Sequence, residues 1–117
     1  MPTTKHDIQM QKGANFRLNV QARNSDRSIK SLVGYLARLK VRKNYGDTDP
    51  PLATGTTEDG SIAINGPGGV VMINIPATTT VAYVWTSGVW DLEVYTNSAN
   101  VDRIVEGFAS LSPEVTT

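Results

Sequence analysis

Residues 87–96 read SGVWDLEVYT. Trp90, Leu92 and Val94 take every second position, and Asp91, Glu93 and Tyr95 fill the gaps. A period of two is the pleat of a β-strand with one buried face. It sends the three apolar side chains into a core and leaves the acids and the tyrosine outside.

Working outward, the same period recurs. NFRLNVQA places Phe16, Leu18 and Val20 on one face and Arg17 and Asn19 on the other. GYLARLKVRK places Tyr35, Ala37, Leu39 and Val41 opposite Arg38, Lys40 and Arg42. Leu32, Tyr35, Leu36 and Leu39 also fit a helical spacing there, but the three evenly spaced bases favour a strand. SIAIN sends Ile62 and Ile64 inward, and GVVMINI is apolar on both faces, as in a central strand or one covered by a second layer. VDRIVEGFASLS puts Val105, Gly107, Ala109 and Leu111 on one face, with Ile104 and Phe108 on the other. Between the runs stand turn signals: Asp59-Gly60, the NGPGG stretch, and Pro50-Pro51. PATTTVAYVW predicts one helical turn starting at Pro76. About seven to eight short strands at this spacing predict an all-β fold, a single antiparallel β-sandwich of jelly-roll or immunoglobulin-like type.

At 117 residues the chain is one domain, 1–117, able to bury a core without staples. Residues 1–7 read as a flexible N-terminal arm and 113–117 as a polar tail. The absence of cysteine excludes disulfides, thiolate metal sites and thiol nucleophiles. No run approaches the ~18 apolar residues of a membrane span, and MPTTKHDIQM lacks the apolar stretch of a secretory leader. Net charge is zero, yet residues 1–43 carry ten of the eleven Lys and Arg, while 44–117 carry nine of the eleven acids. Basic strands lying beside acidic ones in a single sheet would explain this. Complementary faces meeting between subunits, or contact with nucleic acid, are the other readings.

Chemistry is sparse. Asp91 and Glu93 lie roughly 6.5–7 Å apart along a strand, a separation found in glycosidase carboxylate pairs. Such spacing recurs on any half-exposed strand, so ion pairs to Arg38, Lys40 or Arg42 are expected and no catalytic residue is assigned. His6, the sole histidine, sits in the arm without partners for a triad or a metal. The glycine-rich turns match no phosphate loop, and DTDP lacks the glycine and final glutamate of a calcium loop. No cofactor, metal or small-molecule ligand is expected. Tyr83 and Trp85 either plug one end of the sandwich, the preferred reading, or form a platform for protein or sugar with Tyr95. The candidate contact surface therefore joins Arg38, Lys40, Arg42, Asp91 and Glu93 to the aromatics Tyr83, Trp85 and Tyr95.

Several phrases in order carry a resemblance. Gly13-Ala14-Asn15-Phe16 opens it, followed by Leu32-Val33-Gly34-Tyr35-Leu36-Ala37-Arg38. Trp90-Asp91-Leu92-Glu93 comes next, and Arg103 through Gly107 leads to Ser112-Pro113-Glu114-Val115-Thr116. This pattern resembles a family of small β-sandwich proteins of tailed bacteriophages and is similar to the N-terminal domain of siphophage baseplate upper proteins. Trp90 stands where tyrosine is common. The resemblance covers residues 7–116. It implies a non-enzymatic virion structural protein, a tail or baseplate subunit or an adaptor for fibres, assembled in the host cytoplasm. Its implied partners are other virion proteins and further copies of itself in a homo-oligomer or symmetric ring, with no membrane or nucleic acid. A head decoration or collar protein, or a carbohydrate-binding module, are the alternatives.

Overall fold

A computed structural model describes residues 3–46, 50–97 and 99–113. Its strands are β1 (Thr4–Lys5), β2 (Ile8–Gln11), β3 (Phe16–Gln21), β4 (Leu36–Arg42), β5 (Ala53–Thr56), β6 (Ile62–Asn65), β7 (Val70–Ile75), β8 (Ser87–Asn97) and β9 (Asn100–Ser112). One helical turn, α1 (Ala77–Thr80), precedes β8, and Pro76 stands just before it in extended conformation. Six strands form one sheet in the order β1-β9-β8-β4-β5, with β2 continuing along β9 beyond β1. The other three form a second sheet, β3-β7-β6. Ala37, Leu39, Val41, Trp90, Leu92 and Val94 of the larger sheet share one buried cluster with Val71, Ile73 and Ile75 of the smaller. This is the all-β sandwich that the alternation predicts.

The strand count exceeds the seven to eight expected, and the reason lies at the N-terminus. Residues 3–7 do not hang free as an arm: Thr4 pairs with Val105, and Ile8 to Gln11 pair with Ala109 to Ser112. Both pairings are parallel, so the sandwich is antiparallel except along this edge. Ile8 and Met10 enter the core from β2, which is why this short polar-looking segment holds its place. At His6 and Asp7 the chain swings close over β9. There the His6 carbonyl accepts the Trp90 indole N–H at 2.8 Å, and the Asp7 carboxylate accepts the Phe108 amide at 3.0 Å. Of the C-terminal tail only Pro113 is described; residues 114–117, like the Asp47 and Asp49 of the DTDP stretch, lie outside the described residues.

β9 departs from simple alternation. Leu92 faces Val105 but Glu93 faces Arg103, so Ile104 is an extra residue in the ladder. This β-bulge turns Ile104 and Val105 both inward. The expectation that Ile104 shares the outer face with Phe108 is therefore corrected. Phe108 does face out, as the pattern has it.

Loops are held by side chains of specific type. Buried Thr80 accepts the Gly13 amide at 3.1 Å and donates to the Ala14 carbonyl at 2.8 Å, fastening α1 to the β2–β3 turn. Asp59 closes the β5–β6 turn by accepting the amides of Ser61 at 2.8 Å and Thr56 at 3.2 Å. Gly60 follows at φ 86°, a conformation glycine adopts without strain.

Candidate functional site

The outer face of the six-stranded sheet gathers most of the residues singled out from sequence. Antiparallel register sets Arg38 of β4 opposite Glu93 of β8, and Lys40 opposite Asp91. Arg38 Nε lies 2.8 Å from Glu93 Oε1, and its guanidinium stacks 4.7 Å above the Tyr95 ring. The expected cross-strand ion pair thus forms, with an added cation–π contact. Asp91 finds its ion-pair partner on the other side: Arg103 of β9, at 3.2 Å. Arg103 also reaches Glu106 at 3.5 Å, and Lys5 of β1 meets the same glutamate at 3.5 Å. Charge segregation along the chain therefore resolves in part within one sheet, where Lys5 of β1 and Arg38 of β4 meet acids of β9 and β8.

The bulge makes this possible. Residues 103 and 106 are three apart and would point to opposite faces of an unbroken strand. With Ile104 as the extra residue, Arg103 and Glu106 both face outward and sit within reach of Asp91. Arg103 is the lone base in the acidic half of the chain and opens one phrase of the resemblance, and these are the sequence signals that mark it. Its reach to Asp91 depends on a bulge that no local pattern announces.

Asp91 and Glu93 are engaged in ion pairs on an open sheet face, not opposed across a closed cleft. Their side chains keep 28% and 22% of their exposure. Burial pushes the Asp91 carboxyl above its ordinary value; Glu93 and Glu106 push the same way, and Arg103 and Lys40 oppose them. A carboxyl whose folded value lies above its unfolded value binds its proton more tightly in the fold, so ionising it works against folding. Stability should therefore fall as pH rises from the ordinary carboxylate range through the raised value. Asp91→Asn is expected to be more stable than the parent near neutral pH, and the two should converge in acid where Asp91 is protonated. Urea unfolding at both pH values checks this; an Asn variant less stable at neutral pH would mean the Arg103 pair outweighs the burial.

An apolar island breaks this charged field. Phe108, 65% exposed, projects from β9 directly opposite the half-buried Val89 of β8, and exposed Tyr45 lies in the turn after β4. Val89 borders two shallow grooves. One, about 310 Å³, runs along Lys40, Asn44, Tyr45, Asp91 and Arg103; the other, about 410 Å³, runs along Ile8, Lys43 and Phe108. Arg42 lines the first groove and sits opposite Val89 in the register.

Tyr83 and Trp85 do not join this face. Trp85 is only 7% exposed, and the pair packs against the core with ring centroids 5.7 Å apart and planes tilted by 40°. They plug the sandwich, so Trp85 is corrected from a contact residue to a packing one. The half-buried Tyr83 hydroxyl is pushed above its usual value by burial, with a smaller contribution from the Asp59 charge. A ring pair of this kind offers no flat exposed platform for a sugar. His6 serves through its backbone carbonyl. Among the described residues no cluster of His, Cys, Asp or Glu could hold a metal, and no helix is long and apolar enough to cross a membrane.

No family model and no curated protein matches the chain. Among solved structures, a chicken TCR is similar in fold, with a TM-score of 0.54 and 10% identity over 97% of this chain. The chain spans 56% of that one, about half its length. At this identity the likeness concerns the fold alone, and it agrees with an immunoglobulin-like sandwich.

Proposed function

We propose that the chain is a structural subunit that works through protein–protein contacts, and that its docking surface is the outer face of the six-stranded sheet. The observation that carries this reading is the apolar surface of Phe108, Val89 and Tyr45, bordered along its two grooves by Asp7, Lys43, Lys40 and Asp91. A large aromatic side chain left in water on a sheet face gains from being covered. Charged neighbours around it restrict which partner can cover it and in what orientation. Lys40, Asp91 and Glu93 line the groove shared by Val89 and Tyr45, and the ion pairs of Glu93 with Arg38 and of Asp91 with Arg103 support a positioning role over a catalytic one.

The sequence resemblance supports the finer assignment: a tailed-bacteriophage virion component of the tail or baseplate, or an adaptor for fibre attachment. A cysteine-free sandwich with one exposed docking face suits a part assembled in a host cytoplasm.

Purified particles of the phage encoding the chain are expected to contain it at a fixed ratio to the baseplate proteins by quantitative mass spectrometry. Abundance in infected cells with absence from particles would overturn the virion reading. Phe108→Ser is expected to change stability by no more than about 0.5 kcal/mol, as for other exposed positions. The same variant should lose incorporation into particles. Normal incorporation of Phe108→Ser would move the docking surface elsewhere.

A further inference from the structure

The smaller sheet ends at β3, whose outer side has no neighbouring strand among the described residues. In an antiparallel ladder alternate residues bond to one side and then the other. The Asn74 amide donates to Ser61 on the β6 side, and the Ala22 amide donates to the Gly69 carbonyl on the β7 side. Both contacts fix the phase. Residues 16, 18 and 20 bond to β7, and Arg17, Asn19 and Gln21 turn their backbone N–H and C=O groups outward. Side chains do not screen this row. Arg17 reaches back to Asn74 of β7 at 3.4 Å, and Gln21 reaches back to the Gly68 carbonyl at 2.7 Å.

Proteins ordinarily blunt such an edge with lysine, proline, a bulge or brevity. The edge strands of the larger sheet are short: β1 has two residues, and β2 and β5 have four each. β3 is six residues long, with a continuous ladder and with no lysine or proline. Beside it the sandwich is open. A groove of about 240 Å³ separates β3 from β1, lined by Thr4, His6, Leu18, Val20 and Val105. Leu18 and Val20 remain half-buried there although they point toward the core.

We propose that β3 pairs antiparallel with β3 of a second copy across a two-fold axis at Asn19, joining the two small sheets into one. The choice of occupant rests on self-complementarity. A two-fold edge contact is necessarily antiparallel and isologous. Centring it on Asn19 sets Arg17 against Gln21 of the other copy, and so satisfies every outward backbone group from 17 to 21. The same register keeps Leu18 against the other copy's Val20 on the inner face, as the pleat demands. The strand's one charged residue meets a neutral one, so no like charges oppose. Only the fold is needed for this, and the docking role of the Phe108 face stands or falls separately.

Sedimentation of the full chain should show a concentration-dependent dimer, with the Arg17, Asn19 and Gln21 amides protected from hydrogen exchange. Asn19 opposes itself across the axis, so Asn19→Lys and Asn19→Asp should each weaken dimerisation roughly fivefold through like-charge opposition. Mixing the two variants should restore a one-to-one heterodimer, a result that a general loss of folding could not give. Phe108→Ser should leave the dimer intact. A monomer at every concentration, the result expected if a foreign strand takes this edge, would overturn the proposal. So would a dimer insensitive to both charges, or one whose β3 amides exchange freely.

Discussion

Leu92→Ala should lower the free energy of unfolding by about 3–4 kcal/mol, within the range measured for buried leucines. Leu92 sits at the middle of β8, with Leu39 opposite it on β4 and Val105 opposite it on β9. Leu92 and Leu39 have no exposed surface, and Val105 is also buried. The magnitude depends on how far the surroundings collapse into the space left behind. Here the neighbours belong to strands bonded on both sides, and shifting one would break ladder hydrogen bonds. The cavity should therefore stay open, and the loss should not fall at the low end of the range. Against a total of about 5–15 kcal/mol for a domain, that is a large share. Urea unfolding followed by indole fluorescence would measure it, with Leu92→Met as a control expected to lose under about 1.5 kcal/mol. An alanine variant that loses under about 1 kcal/mol would mean that β8 does not sit at the centre of a packed core.

What the sequence makes legible is what a two-residue period encodes. Phe16 to Gln21, Ala37 to Val41 and Trp90 to Val94 each carry their own alternation, and each forms the expected strand with the expected face inward. The pairing of basic β4 with acidic β8 is legible too, because opposite charges on like faces favour that neighbour. Two things are not. Ile8 and Met10 alternate, but their partner strand lies about a hundred residues away and is parallel, so no hairpin turn signals the pairing. Ile104 breaks the period by one residue, and only the register against β8 shows which residue is extra. The burial of Trp85 matches the preferred sequence reading, in which it plugs the sandwich with Tyr83. The candidate site divides the same way. The Arg38–Glu93 pair follows from alternation and charge, while the reach of Arg103 to Asp91 and the exposed neighbours of Phe108 require the bulge and the sheet order.

Gly107→Ala should be damaging by about 2–6 kcal/mol, the sum expected from overpacking and one orphaned polar group. Gly107 lies on β9 opposite Trp90, where the N-terminal segment crosses between β1 and β2. A β-carbon there would stand 2.3 Å from the His6 carbonyl oxygen and 2.9 Å from an Asp7 carboxylate oxygen. The first obstacle is backbone, which no rotamer change can remove. To make room, His6 must lift away from β9, and the Trp90 indole N–H, bonded to that carbonyl at 2.8 Å, loses its acceptor inside the core. The hydrogen bond from the His6 amide to the Glu106 carbonyl, also 2.8 Å, is strained by the same movement. Damage should therefore concentrate at one edge: faster hydrogen exchange at Ile8 to Gln11 and a red-shifted indole emission, with the β4–β8 ladder still protected. Wild-type melting and emission in Gly107→Ala would show that the N-terminal strands do not lie against β9 in solution. The core would then have to close without Ile8 and Met10, and the sandwich would lose the parallel edge that separates it from a simple antiparallel one.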